Sequence, residues 1–452
     1  MAADLDLMFG NITTIQSGAF ANMVLGQFSL DNNPLVTVEK DAFTNTTVTN
    51  IFSLASITAP ALGSNWFSGL TANDVMIQFN ENLETIQGGA FQDIHAMNSI
   101  TVQKNSALMT IETGAFSDAA TKDLTIEGVS VETVHQMAFA AMDLTGTMKL
   151  ELPAVTQFDS GAFNILTVGG DLTLIVDSLE SMIEATFGQT KVSGSFTLVI
   201  NNPDLQTYFS FNAFSGLNVA RYCNIITTGT LQLTTQSFGG ISCGGTLSIS
   251  ANRGVAAPGL PSGVFEGAVV GGLNITNLRV TSIVGGVFKG LQVTPPPGIL
   301  HGEVDIGPTV TFIALDALIT ANPPVLVGAR LLAGGMDVST CLYGNGILDW
   351  HGTPVCTGCQ PGYYCVSGEQ VPCPAGTYNP LPRAFAISAC HQCPLGTGSA
   401  AVGASDASTC APCSVPAGTV QPAYDHCTVL SKGGLSPGVS TLWLGARVAL
   451  CV

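Results

Sequence analysis

The residues best suited to chemistry are two Cys-x-x-Cys pairs near the C-terminal end of the chain, Cys390 with Cys393 and Cys410 with Cys413. Their spacing fits a zinc ribbon, in which four thiolates hold one ion in a tetrahedron. However, a unit of Cys, Pro, a small or aliphatic residue, Gly and Thr recurs at 20-residue intervals from Cys373. This iteration favours disulfide modules, which belong to an oxidising compartment, over a metal site. We therefore predict disulfides, no bound metal and export from the cytosol.

Catalytic side chains show no comparable pattern. The six histidines have no second His or acid at metal-ligand spacing; they are His95, His135, His301, His351, His391 and His426. The sequence also contains no G-x-S-x-G, P-loop or G-x-G-x-x-G motif. Carboxylates are spread along the chain without a recurring acidic pair, which disfavours a glycosidase or a calcium array. We predict a protein that is not an enzyme and that has no cofactor.

The charged-residue composition narrows the classes of partner that the protein can bind. Of 452 residues, 13 are Lys or Arg and 31 are Asp or Glu, so the net charge is -18. This balance disfavours nucleic acid and anionic membrane surfaces as partners, because both require clustered cations. No run of 18 apolar residues is present to predict a transmembrane segment, although an anchor beyond the ends of the chain stays open. The first residues lack a secretory signal, so we expect an incomplete N-terminus.

A long-period repeat dominates the first two thirds of the chain. Phenylalanines recur at spacings of 23 to 27 residues, and these are Phe20, Phe43, Phe67, Phe91, Phe116, Phe139, Phe163, Phe187, Phe214, Phe238, Phe265 and Phe288. Aliphatic residues stand five and eight positions before most of them, and an alternating apolar pair follows, as in Val75 and Ile77. An apolar-x-apolar triplet puts both large side chains on one face of a short strand. The repeat therefore predicts about 12 stacked coils with one parallel strand per coil, a spine of Phe and one continuous core. Asn33, Asn80 and Asn105 follow such triplets, where we expect their amides to hydrogen-bond the backbone of the bend.

Segments such as NLETIQGGAF, residues 82–91, resemble the leucine-rich repeat, especially its extracellular and surface-antigen form. The resemblance covers about residues 11–320. It implies a β-rich solenoid of leucine-rich-repeat type over residues 1–320, with a linker at 321–340. It also implies a secreted or cell-surface protein that binds a protein or glycan through the strand face.

From Cys341 to Cys427, which holds ten of the 13 cysteines, segments such as CQPGYYC and CPAGTY resemble the ephrin-receptor-like cysteine-rich repeat. That family is itself similar to tumour necrosis factor receptor modules, and residues 428–452 are left unassigned. The resemblance implies the pairs Cys373–Cys390, Cys393–Cys410 and Cys413–Cys427. Further candidate pairs are Cys341–Cys356, Cys359–Cys365 and Cys223–Cys243. For the last of these, two buried thiols are an equal alternative.

Strand alternation identifies a candidate binding face. Outward positions of the triplets carry Gln78, Thr101, Gln103, Thr125, Glu127, Lys149, Glu151, Thr173, Ser248, Asn274 and Thr276. We expect this face to be polar and nearly uncharged, which suits hydrogen-bond recognition. Asn11, Asn45 and Asn274 also begin N-x-[ST] sequons, which are candidate glycosylation sites. The alternative function is a structural component of a cell coat or extracellular filament, formed by self-association of solenoids.

Overall fold

The computed structural model describes residues 2–257, 259–283, 286–295, 297, 302–306, 312–313, 329–333, 336–337, 346–349, 355–366, 369–382, 384, 386–412, 428–429 and 450–451. The chain divides into two compact units, Met1–Arg330 and Leu331–Val452. Among the described residues, no helix is long and apolar enough to cross a membrane.

The first unit is a parallel β-solenoid, as the repeat predicts. Its main sheet runs along the whole unit. The strands of this sheet are Ala3–Asp6, Val24–Ser29, Thr46–Ala55, Leu70–Gln78, His95–Gln103, Ala120–Glu127, Asp143–Leu144, Met148–Glu151, Thr167–Val168, Leu172–Val176, Lys191–Val192, Phe196–Ile200, Asn218–Val219, Cys223–Thr227, Ser242–Ala251, Val269–Asn277, Gln292–Val293 and Gly302–Asp305. A hairpin of Ala329–Ala333 and Met336–Asp337 follows.

Most coils also contain a second, two- to four-residue strand that the repeat pattern did not suggest, and the coil of Phe265 has an isolated bridge at Val255 in its place. Eight of these pair in parallel as a narrow sheet, made of Ala61–Leu62, Thr85–Ile86, Thr110–Ile111, Thr133–Val134, Gln157–Phe158, Ser181–Met182, Gln206–Phe209 and Thr230–Leu233. Thr14–Ile15 pairs with Thr37–Val38, and Ser282–Ile283 pairs with Phe312–Ile313. The buried residue of most of these strands is the aliphatic five positions before the Phe, such as Ile86. Neighbouring coils are thus hydrogen-bonded to each other in two places, in the main sheet and in the narrow sheet.

The predicted phenylalanine spine is present. Phe43 and the ten later members are buried, while Phe20 in the first coil is half-buried. Phe91 and Phe116 stack with ring centroids 4.5 Å apart, and Phe163 lies 5.4 Å from Phe139 and 5.2 Å from Phe187. Stacking of equivalent rings joins successive coils into one core.

The arc around each Phe is fixed by two left-handed backbone positions. The residue two before and the residue two after every spine Phe have φ between 53° and 85°. Glycine fills many of these positions, and Asn or Asp others, because they tolerate this region best. Ile165, a β-branched residue at φ 59°, is the exception that sterics disfavour most. These two left-handed positions, one on each side of the Phe, recur in every coil of the spine. The sequence analysis did not predict them.

The predicted asparagine contacts are formed in the early coils. Asn80 accepts a hydrogen bond from the Ile57 amide and donates one to the Leu54 carbonyl, at 3.0 and 3.2 Å. The buried side chain of Asn105 accepts from the Asn80 amide at 3.0 Å. These amides satisfy backbone groups where the chain leaves the main sheet.

The second unit is a series of small disulfide-bonded hairpins. Its antiparallel pairs are Gly346–Asp349 with Val355–Gly358, Tyr363–Val366 with Glu369–Pro372, Thr377–Tyr378 with His391–Gln392, and Thr397–Gly398 with Ala411–Pro412. Ile387–Ala389 and Ala407–Thr409 are 3₁₀ turns, and Thr428–Val429 pairs with Leu450–Cys451 in parallel. Buried Asn379 links two hairpins, since its side chain donates to the Tyr363 carbonyl at 2.7 Å and its amide donates to the Ala404 carbonyl.

Candidate recognition surface

The outward side chains of the main sheet form three columns that run from coil to coil. The leading column contains Asp74, Ser99, Asp123, Thr147, Asp171, Ser195, Tyr222 and Thr246. The middle column lies two residues later and contains Met76, Thr101, Thr125, Lys149, Thr173, Thr197, Asn224, Ser248 and Asn274. The trailing column lies two residues later again and contains Gln78, Gln103, Glu127, Glu151, Ile175, Val199, Ile226 and Ser250. We call the three columns together the strand face.

The sequence-predicted ligand residues, apart from Thr276, lie in the middle or trailing column. Gln78 is paired with Gln103, and their side chains are joined by a 3.2 Å hydrogen bond. Thr125 is paired with Thr101 on one side and with Lys149 on the other. The described residues of this set are half-buried, as expected for side chains that stand between neighbours in a ladder. They include Glu127, Glu151, Thr173, Ser248 and Asn274. Thr276 lies in the Val269–Asn277 strand, and its side chain is outside the described residues.

The leading column, which sequence reading missed, alternates acids with hydroxyls. The hydroxyl of Ser99 donates to Asp74 Oδ1 at 2.6 Å. In the next pair, the amide and hydroxyl of Thr147 both donate to Asp123 Oδ1, and the Ser195 amide donates to Asp171 Oδ1 at 2.7 Å. Each carboxylate therefore accepts hydrogen bonds from the coil that follows it. The interaction ties successive coils together on the exposed side of the sheet.

Two of these carboxylates require glycine in the next coil. A Cβ on Gly146 would collide with Asp123 Oδ1, and a Cβ on Gly194 would collide with Asp171 Oδ1. The same relationship joins Gly26 to Asp4 in the first coils. Glycine lets the backbone of one coil approach the carboxylate of the preceding coil closely enough to donate to it.

Acidic side chains recur singly in the leading column, since Asp74, Asp123 and Asp171 share one position in every second coil. They do not form the recurring acidic pair that a glycosidase or a calcium array would need. Together with Glu127 and Glu151, they make the strand face more acidic than the predicted middle and trailing columns alone. Lys149 forms an ion pair with Glu151, and the hydrogen bond to Glu151, aided by the charge of Glu127, raises the pKa of Lys149.

The trailing column changes character midway along the solenoid. Gln78, Gln103, Glu127 and Glu151 occupy four consecutive coils, and Ile175, Val199 and Ile226 occupy the next three. Apolar side chains on the outward face of a strand break the alternation that the sequence prediction used. Runs such as Leu-Ile-Val, in which the apolar triplet continues without a polar residue, are the sequence signal for these outward apolar side chains.

Other predicted sites lie apart from the strand face or only partly on it. Asn11 and Asn45 are exposed on separate loops, and the Asn45 side chain donates to Asn22 Oδ1 at 3.2 Å. Asn274, in contrast, stands in the middle column, where a glycan and a ligand would compete for one position. His135 contacts an acid in space, since its Nδ1 lies 3.0 Å from Asp159 Oδ2. Over the described part of the chain, no three His, Cys, Asp or Glu side chains form a metal cluster.

Four of the candidate disulfides are formed, namely Cys223–Cys243, Cys359–Cys365, Cys373–Cys390 and Cys393–Cys410. Cys223–Cys243 links neighbouring coils, with Cα atoms 6.2 Å apart and both residues buried. The pairs Cys341–Cys356 and Cys413–Cys427 fall on side chains outside the described residues. Four disulfides in one chain are typical of an oxidising compartment.

The two ladders, the spine and the coil length of about 24 residues together define a solenoid of repeats. Residues 7–75 and 61–192 match the BspA type leucine rich repeat region, in six copies. This leucine-rich-repeat match covers the coils that carry the polar half of the strand face. The cysteine-rich tail is matched by no family model, so its ephrin-receptor-like character stays a prediction. No curated protein matches the chain.

Proposed function

We propose that this protein, whose residues 7–192 match the BspA type leucine rich repeat region, is an extracellular or cell-surface recognition protein. In this proposal the strand face binds a protein or glycan ligand, and the cysteine-rich tail is a stiff stalk. The observation that carries the proposal is the continuity of the strand face, whose middle column offers a hydroxyl or amide group in every coil from Thr101 to Asn274 except that of Lys149. Such a surface presents regularly spaced donors and acceptors on a rigid scaffold.

The disulfides support the proposed extracellular or cell-surface location. Cys223–Cys243 lies in the solenoid and three further bonds lie in the tail, so both units are built for oxidising conditions. The exposed sequon residues Asn11 and Asn45 are accessible to glycosylation in that compartment. The proposed role is non-catalytic binding.

Binding by the isolated chain tests the proposal. The purified chain is examined by analytical ultracentrifugation and then applied to arrays of glycans and of secreted and surface proteins. A monomer with saturable binding to one ligand class is the expected result. Assembly into ordered fibres, with no saturable ligand, would instead support the structural function, in which solenoids pack laterally in a coat or filament.

A further inference from the structure

Four residues form an apolar step on the strand face, Ile175, Val199, Ile226 and Tyr222. Ile226 is 41% exposed and Tyr222 is 56% exposed, while Ile175 and Val199 are half-buried between them and the polar coils. Strands lie about 4.8 Å apart and side chains four residues apart are separated by about 13 Å. The step is therefore large enough to receive one or two side chains of a partner.

Tyr222 is held in place by the coil that follows. A Cβ added to Gly245 would lie 2.8 Å from Tyr222 Cδ1 and 3.0 Å from Cε1. The ring thus packs over the bare backbone of Gly245, and the Gly245 amide donates to the Arg221 carbonyl at 2.6 Å. This contact orients an exposed aromatic side chain before any ligand arrives, which lowers the entropy cost of binding.

The coils that carry the step are less acidic on the strand face than the protein as a whole. From Ser195 to Ser250 the three columns contain no carboxylate, although the protein has a net charge of -18. Arg221 directly precedes Tyr222, and Lys191 pairs with Asn218, four residues before Tyr222. Both are exposed, and within the described residues neither has a carboxylate partner within salt-bridge distance. Towards the N-terminal coils, Glu151 and Asp171 border the step and repel acids.

We propose that the apolar step docks a short, extended segment of a partner protein that carries two large apolar side chains with carboxylates beyond one of them. This inference rests on the proposed function of the strand face and names the partner chemistry of one part of it. One apolar side chain packs on Ile226 and Val199, and a second packs on Tyr222, about 13 Å along the strand. The carboxylates lie beyond Tyr222 and pair with Arg221 and Lys191. Asn224 and Thr197, between the apolar side chains, hydrogen-bond the backbone of the segment. A sugar is a poorer occupant, because its hydroxyls would be desolvated against three aliphatic side chains without partners.

The test uses the full chain and a library of random 12-residue peptides displayed on phage. Peptides enriched by selection on the wild-type chain are synthesised for fluorescence anisotropy with wild type and the Ile226→Asp variant. Ile226→Ser and Arg221→Glu serve as second variants, since both positions are exposed, and thermal unfolding verifies that every variant is folded. Thr110→Arg, on the outward face of the narrow sheet, is the matched control.

Enriched peptides are expected to contain two aromatic or large aliphatic residues, with Asp or Glu beyond one of them. Their affinity should fall at least 10-fold in Ile226→Asp and in Arg221→Glu, stay within 2-fold in Thr110→Arg, and weaken with added NaCl. Peptides that bind Ile226→Asp and Ile226→Ser as well as wild type would overturn the inference, as would enrichment of basic sequences or no enrichment at all. If such peptides instead lose affinity in Gln103→Arg, the strand face binds ligands but the apolar step is not the docking site. Binding that survives every strand-face variant would overturn the proposed function as well.

Discussion

Thr147 donates two hydrogen bonds to a single oxygen of the preceding coil, since its backbone amide lies 2.7 Å and its hydroxyl 2.9 Å from Asp123 Oδ1. The bond is made on the exposed side of the main sheet, outside the hydrophobic core. Gly146, directly before Thr147, leaves the space that the carboxylate occupies. A carboxylate, a glycine and a hydroxyl residue in the next coil therefore act as one unit that fixes the spacing of two coils.

Asp123→Ala should destabilise the solenoid by about 1–2 kcal/mol, because the Thr147 amide loses its acceptor. Gly146→Ala should also destabilise it, since the new Cβ collides with Asp123 Oδ1. In the double variant the new Cβ no longer collides with a carboxylate. The double variant should therefore lose less free energy of unfolding than the sum of the losses in the two single variants. Urea unfolding of the four chains measures this coupling, and strictly additive losses would contradict the contact.

Phe163→Ala should destabilise the protein by about 3–5 kcal/mol, because the buried ring contacts Phe139, Phe158 and Phe187 and its removal leaves a cavity. In an array of coupled coils the loss should be greatest in the adjoining coils. Half-buried Phe20, at the edge of the array, is the control, and Phe20→Ala should cost less. A denaturation midpoint unchanged by Phe163→Ala would show that the spine does not stabilise the fold.

Ile165→Gly should stabilise the protein by about 0.5–1 kcal/mol. Relief of a left-handed β-branched residue contributes roughly 1–2 kcal/mol, and the added entropy of the unfolded glycine offsets roughly 0.5–1 kcal/mol. Ile165 is 49% exposed, so little packing is lost. Thr167→Gly, at a nearby exposed strand position with ordinary φ, should lower the melting temperature. The prediction is wrong if both substitutions lower it equally.

The tail should contain disulfides and no zinc. Peptide mapping without reductant should recover Cys359–Cys365, Cys373–Cys390 and Cys393–Cys410, and we expect Cys413–Cys427 as well. Metal analysis of the purified chain should find no stoichiometric zinc. Free thiols together with one bound zinc would reverse both the chemistry of the tail and the compartment.

Acid should weaken one contact between coils at the C-terminal part of the solenoid. Glu266 accepts a hydrogen bond from Gln236 and pairs with Lys289 at 3.1 Å, and these interactions lower the pKa of Glu266. A carboxyl whose pKa is lower in the folded protein stabilises it above the unfolded pKa of about 4.3, and the stabilisation is lost as the pH falls through the folded value. Glu266→Gln should therefore reduce the loss of stability below about pH 4, measured by thermal unfolding. Because the group is largely exposed, the effect should be small.

The sequence predicted the parts of the fold that repeat in residue type. Phe163 and its equivalents, the buried triplets and Asn80 all recur as the same residue or class, so their period is visible in one sequence. The left-handed positions are filled by residues as different as Gly161 and Ile165, because backbone conformation rather than side-chain type is what repeats there. The leading column was missed for a similar reason, since Asp123 is followed by Thr147 and not by another acid.

The candidate surface was only partly predictable. Strand alternation placed Gln103 and Thr125 on the outward face, because the period of two is strict inside a strand. Ile175 and Ile226 obey the same geometry, but their apolar type led the sequence interpretation to leave them out. The trailing column changes from polar to apolar side chains, and this change can be recognised only from the structure, which shows which residues of neighbouring coils are paired.

The central claim is that the strand face is the recognition surface, and the affinity of a strand-face variant tests it most directly. Gln103→Arg with Thr125→Arg changes two half-buried outward residues of adjacent coils, and Thr110→Arg with Thr133→Arg makes the matched change on the narrow sheet. Isothermal titration with the ligand found by array binding should show binding abolished in the first variant and unchanged in the second, with both folded. Binding that persists in the first variant and disappears when residues 341–452 are deleted would place the recognition surface in the tail and contradict the claim.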